Sequence, residues 1–395
     1  MTMIADVRDQ VGRISDGLLA RNDVSESCFA RESQRLAVVS QEMAARFLRG
    51  GRLLAFGRGA CATDAQHVSV EFVHPVIVGK RALPGLDLST AFEEWAPAIC
   101  HADDIVVGFG PPTGDPQVAA VLARLRSIGA LTLALSGRDA DFALAPPSPD
   151  PFIHQEIIEI LYHTLWETVH VFFEHRELGH DVGDAGFLYP FLGREKQDTT
   201  DVNADVARSI EAKARDVGKL REEVARDQSE TIARAVRALH ERIAAGGKLI
   251  LFGNGGSATD ANDWAMDCVA SPKGSRPIPA VSLSMEAANI SAIANDVGAE
   301  VIFLRQLIAH ARAEDVAIGI STSGGSGNVV AALVEARKRG LLTVALLGND
   351  GGEIVRRGLV DYAIVVPSDY IPRIQEVHAS IYHVMCDAME VLARA

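Results

Sequence analysis

The sequence Leu249-Ile250-Leu251-Phe252-Gly253-Asn254-Gly255-Gly256-Ser257 occurs a second time in decayed form, as Leu53-Leu54-Ala55-Phe56-Gly57-Arg58-Gly59-Ala60-Cys61. Each copy is an apolar strand that runs into a glycine-rich turn and then into an alanine-rich helix. Both helices carry an aspartate at the same place, Asp64 and Asp260. Such a turn leaves backbone N–H groups at a helix N-terminus, where they can bind a phosphate. The two copies predict a tandem duplication.

The repeat extends along the chain. Residues 104–108 align with residues 315–319, and residues 129–135 align at the same offset with residues 340–346. Strands alternate with helices in both halves, which favours a parallel sheet covered on both faces. We therefore predict an α/β fold of two tandem domains that pack as a pseudo-dimer. Each sheet has five strands, or four in the first copy, which is shorter by a segment to which we assign a strand and the loop Asn295-Asp296.

A chain of 395 residues is longer than one hydrophobic core usually organises. We place the N-terminal domain at 1–177, a linker at 178–201 and the C-terminal domain at 202–395. Residues 203–244 are expected to form two helices. The polar start, the lack of a long apolar run and five scattered cysteines predict a cytoplasmic protein with reduced thiols.

The formal net charge of −14 argues against binding to nucleic acid, because such a surface repels a phosphate backbone. A small anionic ligand is still compatible, since local N–H groups can outweigh a distant negative field. No membrane partner is expected. Apolar stripes on the helices at 203–244 and 376–393 predict a homo-oligomer of the fused unit.

A second polar loop lies between a strand and a helix in the C-terminal half. It provides four hydroxyl groups, those of Ser321, Thr322, Ser323 and Ser326. Hydroxyls and amides can surround a phosphate without a lysine, so this loop and Ser257 together predict a sugar-phosphate site. The alternatives are an ordinary serine-rich turn and a dinucleotide site. The dinucleotide site is disfavoured because the second strand carries no acidic residue at its tip.

Four motifs in order resemble the sugar isomerase (SIS) domain, and among its branches the bacterial phosphoheptose isomerases. They are Gly253–Ser257, Asn295-Asp296, Ser321–Gly324 and Arg373–His378. The resemblance covers residues 205–395 well and residues 22–175 more loosely. It implies an aldose–ketose isomerase that converts sedoheptulose 7-phosphate to glycero-manno-heptose 7-phosphate. The substrate-binding positions that it implies are Asn254, Gly255, Ser257, Asp296, Ser321, Thr322, Ser323, Ser326 and Gln375.

The family also carries a His and a Glu four residues apart after the first loop, and a Gln and a His eight apart on the last helix, around a zinc ion. The first copy matches at all four positions, so the resemblance implies these metal ligands: His67, Glu71, Gln155 and His163. Glu71 and His163 are also the implied proton-transfer residues. Without the resemblance, a helix-surface pair is the commoner explanation for His67 and Glu71, and a core histidine for His163.

The second copy retains Gln375 and His383 but has Asp263 and Asp267 at the other two positions. Aspartate can ligate a metal, although its shorter arm alters the geometry. These four residues are thus a second, less complete ligand set, and Asp267 and His383 are the corresponding catalytic candidates. The alternative is a solvated acidic face without metal.

The first copy departs from the family where the second agrees with it. Its loop reads Gly110-Pro111-Pro112-Thr113-Gly114-Asp115, in which the prolines remove N–H donors and Asp115 repels a phosphate. The first copy thus resembles a metal site without a phosphate site, and the second copy resembles a phosphate site with an altered metal site. The alternative function is a non-catalytic SIS module that binds a sugar phosphate or a protein partner, of the regulatory or replication-initiator-associated type.

Overall fold

The computed structural model describes residues 2–76, 80–177 and 199–394. By packing, the chain forms two compact units. The N-terminal unit is Asn22–Asp216, and the C-terminal unit combines Met1–Arg21 with Val217–Ala395. Packing thus assigns the first 21 residues and residues 202–216 differently from the predicted domains. Most of the predicted linker lies outside the described residues, and the boundaries at 177 and 202 stay a prediction.

The elements of the chain follow one another in an order that is nearly the same in both units. The first helix and the N-terminal unit comprise α1 (Thr2–Leu19), α2 (Asn22–Leu48), β1 (Leu53–Phe56), α3 (Cys61–Val73), β2 (Gly85–Asp87), α4 (Phe92–Ile99), β3 (Ile105–Phe109), α5 (Pro116–Ile128), β4 (Leu131–Leu135), β5 (Phe142–Leu144) and α6 (Pro151–Glu177). The rest of the chain comprises α7 (Thr199–Ala244), β6 (Leu249–Phe252), α8 (Gly256–Val269), β7 (Ala280–Ser282), α9 (Ala287–Asp296), α10 (Ile302–His310), β8 (Val316–Ser321), α11 (Gly327–Lys338), β9 (Leu342–Gly348), α12 (Gly352–Arg356), β10 (Tyr362–Val366) and α13 (Ile371–Arg394).

Each unit is built on one parallel sheet of five strands. The strand orders are β2-β1-β3-β4-β5 and β7-β6-β8-β9-β10, so the two sheets have the same topology. The registers also correspond, since Leu53 lies opposite Ile105 and Leu249 lies opposite Val316. The central strands are buried along their whole length, as expected for a sheet covered by helices on both faces. The predicted fold class, two tandem α/β domains, is confirmed. The pseudo-dimeric packing stays a prediction.

The alternative of four strands in the first copy is wrong. Strand β2 spans only three residues and pairs in parallel with β1, with Gly85 opposite Leu53. The shorter first copy lacks a counterpart of α9, because α4 follows β2 directly where the second copy has both α9 and α10. Asn295 and Asp296, predicted as a loop of the missing segment, are the last two residues of α9. A three-residue strand that begins with glycine carries no periodicity, so the sequence does not reveal it.

The duplication extends to individual ion pairs at the start of the strands. Arg52 pairs with Asp104 at 2.8 Å in the N-terminal unit, and Lys248 pairs with Asp315 at 2.6 Å in the C-terminal unit. Burial opposes ionisation of both carboxyls, but hydrogen bonds from the basic side chain and from backbone N–H groups outweigh it and lower the pKa of each. The same carboxylate thus joins the first and third strands of both repeats.

Helix α7 is one continuous helix, so the predicted break into two helices within 203–244 is wrong. Helix α1 packs on α13 within the C-terminal unit. In the part of the chain that is described, no helix has the length and apolar character that a membrane crossing requires.

Candidate active site

The first candidate loop joins β6 to α8 and depends on two glycines. A Cβ at Gly253 would lie 2.4 Å from the backbone oxygen of Ser257, and Gly255 has a positive φ of 55°. Neither position accepts another residue without strain. Ser257 is therefore placed, buried, in the first turn of α8, while Asn254 and Gly255 are exposed. The loop presents backbone N–H groups at a helix N-terminus, as its sequence predicts.

The second candidate loop leaves the carboxyl end of β8, the neighbour of β6. Ser321 is buried, and its Oγ lies 3.1 Å from Oγ of Ser326. Thr322 is half-buried and Ser323 is exposed. Gly324 has a φ of 59°, and a Cβ there would lie 2.1 Å from the carbonyl oxygen of Gly351. The hydroxyl groups are thus held by a loop of fixed conformation in front of α11.

The two loops are joined by a pair of side-chain amides. Asn254 Nδ2 donates to Asn328 Oδ1 at 2.9 Å, and Asn328 Nδ2 donates to Asn254 Oδ1 at 2.9 Å. Asn328, at the end of the serine loop, is not among the site residues predicted from the sequence. We name the two loops together, residues 253–257 and 321–328, the phosphate cradle.

Two further predicted substrate residues lie on the helices α9 and α13. Asp296 is exposed at the last position of α9, and its Oδ1 accepts from Asn295 Nδ2 at 2.7 Å. Gln375 is buried on α13. Their roles as substrate ligands stay predictions.

A carboxylate and an imidazole meet between α8 and α13. Asp267 Oδ2 lies 3.1 Å from Nε2 of His383, and both side chains are buried. Burial, and then the neighbouring Asp263, raise the pKa of Asp267 to about 7. Asp263 Oδ2 lies 3.8 Å from the same nitrogen of His383 and accepts a hydrogen bond of 2.7 Å from the hydroxyl of Tyr382. Tyr382 is not among the site residues predicted from the sequence.

In the N-terminal unit, the equivalent helices α3 and α6 bring three of the four predicted metal ligands together. His67 Nε2 lies 3.3 Å from Nε2 of His163 and 3.8 Å from Oε1 of Glu71, and all three residues are buried. Burial, and then His163, lower the pKa of His67 well below its usual range, so this imidazole is neutral. The predicted ligand Gln155 donates from Nε2 to Asp64 Oδ2 at 3.4 Å.

The distances between donor atoms in both units are close to those found around a metal ion. Zinc ligands about 2.0–2.1 Å from the ion in a tetrahedron lie about 3.3–3.5 Å from one another. The His67–His163 distance falls in this range, and the His67–Glu71 distance is slightly longer. Two imidazoles and a carboxylate also suit zinc chemically. The three donor atoms of Asp263, Asp267 and His383 likewise lie within 4.8 Å of one another.

The first copy fills its own anion position. Asp115 caps α5, and its Oδ1 accepts from the backbone N–H groups of Gln117 at 2.8 Å and Val118 at 3.1 Å. Arg58 Nη1 lies 3.5 Å from the other oxygen of Asp115. The N–H groups that would face a phosphate therefore already bind a carboxylate. Asp115 aligns with Ser326 of the phosphate cradle.

Comparison with known proteins finds one protein family and several similar enzymes. The family model of the SIS domain matches residues 214–348. The phosphoheptose isomerase of Pelobacter propionicus is 47% identical over 168 residues, which are 42% of this chain and 88% of that protein. The phosphoheptose isomerase of Geobacter sulfurreducens is 44% identical over 182 residues, 46% of this chain and 95% of that protein. The chain belongs to the phosphoheptose isomerase family of SIS-domain proteins. The predicted enzyme class, an isomerase, is thereby confirmed.

A solved structure has a similar fold over nearly the whole chain. The C-terminal domain of glucosamine-fructose-6-phosphate aminotransferase from Francisella tularensis covers 95% of this chain with a TM-score of 0.62. The sequence identity is 7%, so this likeness concerns the fold alone. The sequence similarity that shows the family thus covers less than half of the chain, whereas the similarity of fold covers nearly all of it.

Proposed function

We propose that this SIS-domain protein interconverts a ketose and an aldose heptose phosphate, sedoheptulose 7-phosphate and glycero-manno-heptose 7-phosphate. The relatives support an isomerase of sugar phosphates. The observation that carries the proposal is the Asp267–His383 pair, whose carboxyl has a pKa of about 7 and lies in the same unit as the phosphate cradle. Such a pKa lets a carboxylate both accept and return a proton near neutral pH.

The phosphate cradle binds the phosphate in this proposal. Ser321 and Ser326 donate from their hydroxyl groups, and the N-termini of α8 and α11 provide N–H groups and a partial positive charge. These groups can bind a phosphate without a lysine, so a small anion can bind although the protein as a whole is acidic. Binding this remote group fixes the reacting carbons and so supplies part of the rate acceleration.

The proton transfer would use α8 and α13. Asp267 removes a proton from C1 of the ketose, the C1–C2 double bond of an enediol forms, and the carbonyl oxygen at C2 gains a proton. His383 exchanges the protons on the two oxygens. Asp267 then returns its proton to C2 while O1 loses its proton, which yields the aldose. No oxidant is consumed, because C1 is oxidised as C2 is reduced.

The zinc that the family implies fits the N-terminal unit best. His67, Glu71 and His163 would hold it, and Gln155, which donates to Asp64 from Nε2, would offer its Oε1 as a further ligand. Zinc bound there supplies a Lewis acid that can polarise a carbonyl oxygen. Asp263, Asp267 and His383 form a second possible set. A carboxylate bound to metal is a weaker base, so we assign Asp267 and His383 to proton transfer instead.

The remaining expectations are part of the same proposal. We infer that the protein acts in the cytoplasm on a small phosphorylated sugar, without nucleic acid or membrane partners, as a homo-oligomer of the fused unit. The net charge of −14 supports the first exclusion. Exposed apolar side chains on the long helices, such as Val391 and Val38, support self-association.

One observation favours a second function, a binding module without turnover. Each repeat departs from the family at one of its two sites: Asp115 occupies the anion position of the first, and aspartates replace His and Glu at 263 and 267 in the second. Such a protein would bind a sugar phosphate and signal its presence to a partner.

The experiment is an assay of the purified full chain with sedoheptulose 7-phosphate, in which the aldose is followed by NMR and ligand binding by calorimetry. The Ser321→Ala variant tests the cradle, and Ser291→Ala, an exposed serine on α9, is the matched control. We expect turnover in the wild type and in the control, and a rise of at least tenfold in KM for Ser321→Ala. Binding without turnover would support the module, and binding that Ser321→Ala leaves unchanged would refute the cradle.

A further inference from the structure

The N-terminal unit contains a cavity that the proposed isomerase reaction does not use. Its volume is about 400 Å³, within the range of roughly 300–1,000 Å³ of ligand sites. Its floor is α5, through Val118, Ala119 and Leu122. The loop before α5, including Thr113, and the connection after β4, including Ser136, form its walls.

In the C-terminal unit, a short helix lies near the position that is equivalent to this cavity. Gly108 lies against Val118 and Leu122, just as Gly319 lies against Val329 and Leu333. The floor of the cavity therefore corresponds to the face of α11 that carries Val329, Val330 and Leu333. In the C-terminal unit these three residues share a hydrophobic cluster with Ile354, the fully buried central residue of α12.

The two units differ here because the connection between β4 and β5 is shorter than the one between β9 and β10. Thr132 and Asp141 are hydrogen-bonded across nine positions in the N-terminal unit, and the equivalent Thr343 and Asp361 across 18. The nine extra residues include α12. The first repeat thus keeps the counterpart of the helix face that shares a hydrophobic cluster with Ile354, but it lacks α12.

We propose that this cavity binds a short helical segment of a partner protein, with an aliphatic side chain that occupies the position of Ile354. The mode of binding follows from the second repeat. There, the backbone N–H of Ile354 donates to the carbonyl of Gly324 at 3.1 Å, and Gly324 aligns with Thr113. The partner's segment would bury its aliphatic anchor on Val118 and Leu122 and donate a backbone hydrogen bond to Thr113.

The chemistry of the cavity supports a peptide of this kind. The floor is apolar, and the walls add hydroxyl groups and the charged Asp115, Arg138 and Asp139. An apolar floor with a polar rim is the usual arrangement for a helix that binds in a groove. The site is independent of the phosphate cradle and of the Asp267–His383 pair, so its test does not depend on the proposed reaction.

The probe is a capped, fluorescent peptide with the sequence of residues 349–361, titrated with the full chain and followed by anisotropy. A short isolated helix is marginal in water, so binding in the millimolar range is expected. Binding should weaken at least tenfold when the peptide carries Ile354→Asp. It should also weaken at least tenfold for the protein variant Ala119→Trp, which fills the cavity, but not for Ala120→Trp, which places the same side chain on the exposed neighbour.

A graft provides a second test that does not require tight binding. Residues 137–140 are replaced by residues 348–360, which adds the nine missing residues and tethers α12 beside the cavity at a high effective concentration. We expect slower hydrogen exchange in α5 and loss of peptide binding. Unchanged exchange in α5, no saturable binding of the peptide at millimolar protein, or equal binding by Ala119→Trp and Ala120→Trp would each overturn the proposal. Binding of a small apolar molecule without the peptide would identify a ligand cavity instead and would also overturn it.

Discussion

Asp267 and His383 form a buried carboxylate–imidazole pair, with 3.1 Å between Oδ2 and Nε2. The two residues lie 116 positions apart, on helices that pack against each other in the C-terminal unit. Asp263 adds a second carboxylate 3.8 Å from the same imidazole nitrogen. Burial, and then the neighbouring Asp263, disfavour the ionised form of Asp267, which explains its raised pKa.

The first prediction concerns the pH dependence of catalysis. Burial, and then Asp263, raise the pKa of Asp267 to about 7, and only the ionised carboxylate can act as a base. The value of kcat/KM should therefore rise with pH, about tenfold per unit below pH 7, and level off above it. The measurement is a profile of initial rates between pH 5 and pH 9. A profile that stays flat down to pH 5 would show that the base has an ordinary carboxylate pKa.

The second prediction concerns metal content. His163→Ala removes one of three donors around the proposed zinc position and should lower the zinc bound per chain by about one equivalent. His101→Ala changes an exposed histidine of the same unit and should leave the zinc content unchanged. Elemental analysis of both proteins after dialysis against a weak chelator makes the comparison. Equal zinc in both variants would remove His163 from the ligand set.

The third prediction concerns the N-terminal cap of α5. Asp115→Ala leaves the N–H groups of Gln117 and Val118 without their acceptor and should lower the free energy of unfolding by about 1 kcal/mol. Asp115→Ser keeps a capping oxygen and should recover most of this loss. Asp139→Ala, at an exposed position, is the control. Urea unfolding measures all three variants, and an equal loss for Ala and Ser at position 115 would contradict the capping role.

The fourth prediction concerns stability in acid. Burial lowers the pKa of His378 from 6.5 to about 4, while its Nε2 lies 3.1 Å from the carbonyl oxygen of Leu347. The unfolded chain then binds a proton that the folded chain does not bind between pH 6.5 and pH 4. Stability from this residue is complete above pH 6.5 and decreases as the pH falls, by about 3 kcal/mol in total.

The matched variant is His378→Gln, which can still donate to Leu347 but does not titrate. Its free energy of unfolding should fall less than that of the wild type between pH 7 and pH 4. Urea unfolding at several pH values gives both curves. Parallel curves would mean that the folded state tolerates a charged His378.

The sequence predicts the strands and their repeated order well, because buried parallel strands read as continuous apolar runs that end in glycine. Strand β6 and its loop are found at the predicted residues. Strand β2 is not predicted, since its three residues have no pattern of their own and pair only because β1 lies beside them. The continuity of α7 is also not predicted, because a charged helical sequence is compatible with one long helix and with two shorter ones.

The candidate site is predictable where residues share a helix face. His67 and Glu71 lie four residues apart, and the resemblance supplies His163. Glu159 is missed, although it lies on the same face of α6 as Gln155 and His163 and has Oε1 4.0 Å from Nδ1 of His67. Contacts between distant segments leave no such signal.

Two such contacts shape the C-terminal unit. Tyr382 meets Asp263 across 119 positions, and Asn328 meets Asn254 across 74. Both depend on the tertiary fold, which sets how α8, α11 and α13 lie around the sheet.

The most direct test of the account is hydrogen exchange at the carbon that reacts. Sedoheptulose 7-phosphate is incubated with the full chain in D₂O, and the C1 proton signal is followed by NMR. We expect the wild type to replace one C1 proton with deuterium, and Asp267→Asn to do so at least a hundredfold more slowly, with Asp350→Asn, an exposed aspartate, as control. Exchange at the wild-type rate in Asp267→Asn, or no exchange by the wild type, would contradict the assignment of Asp267 as the base.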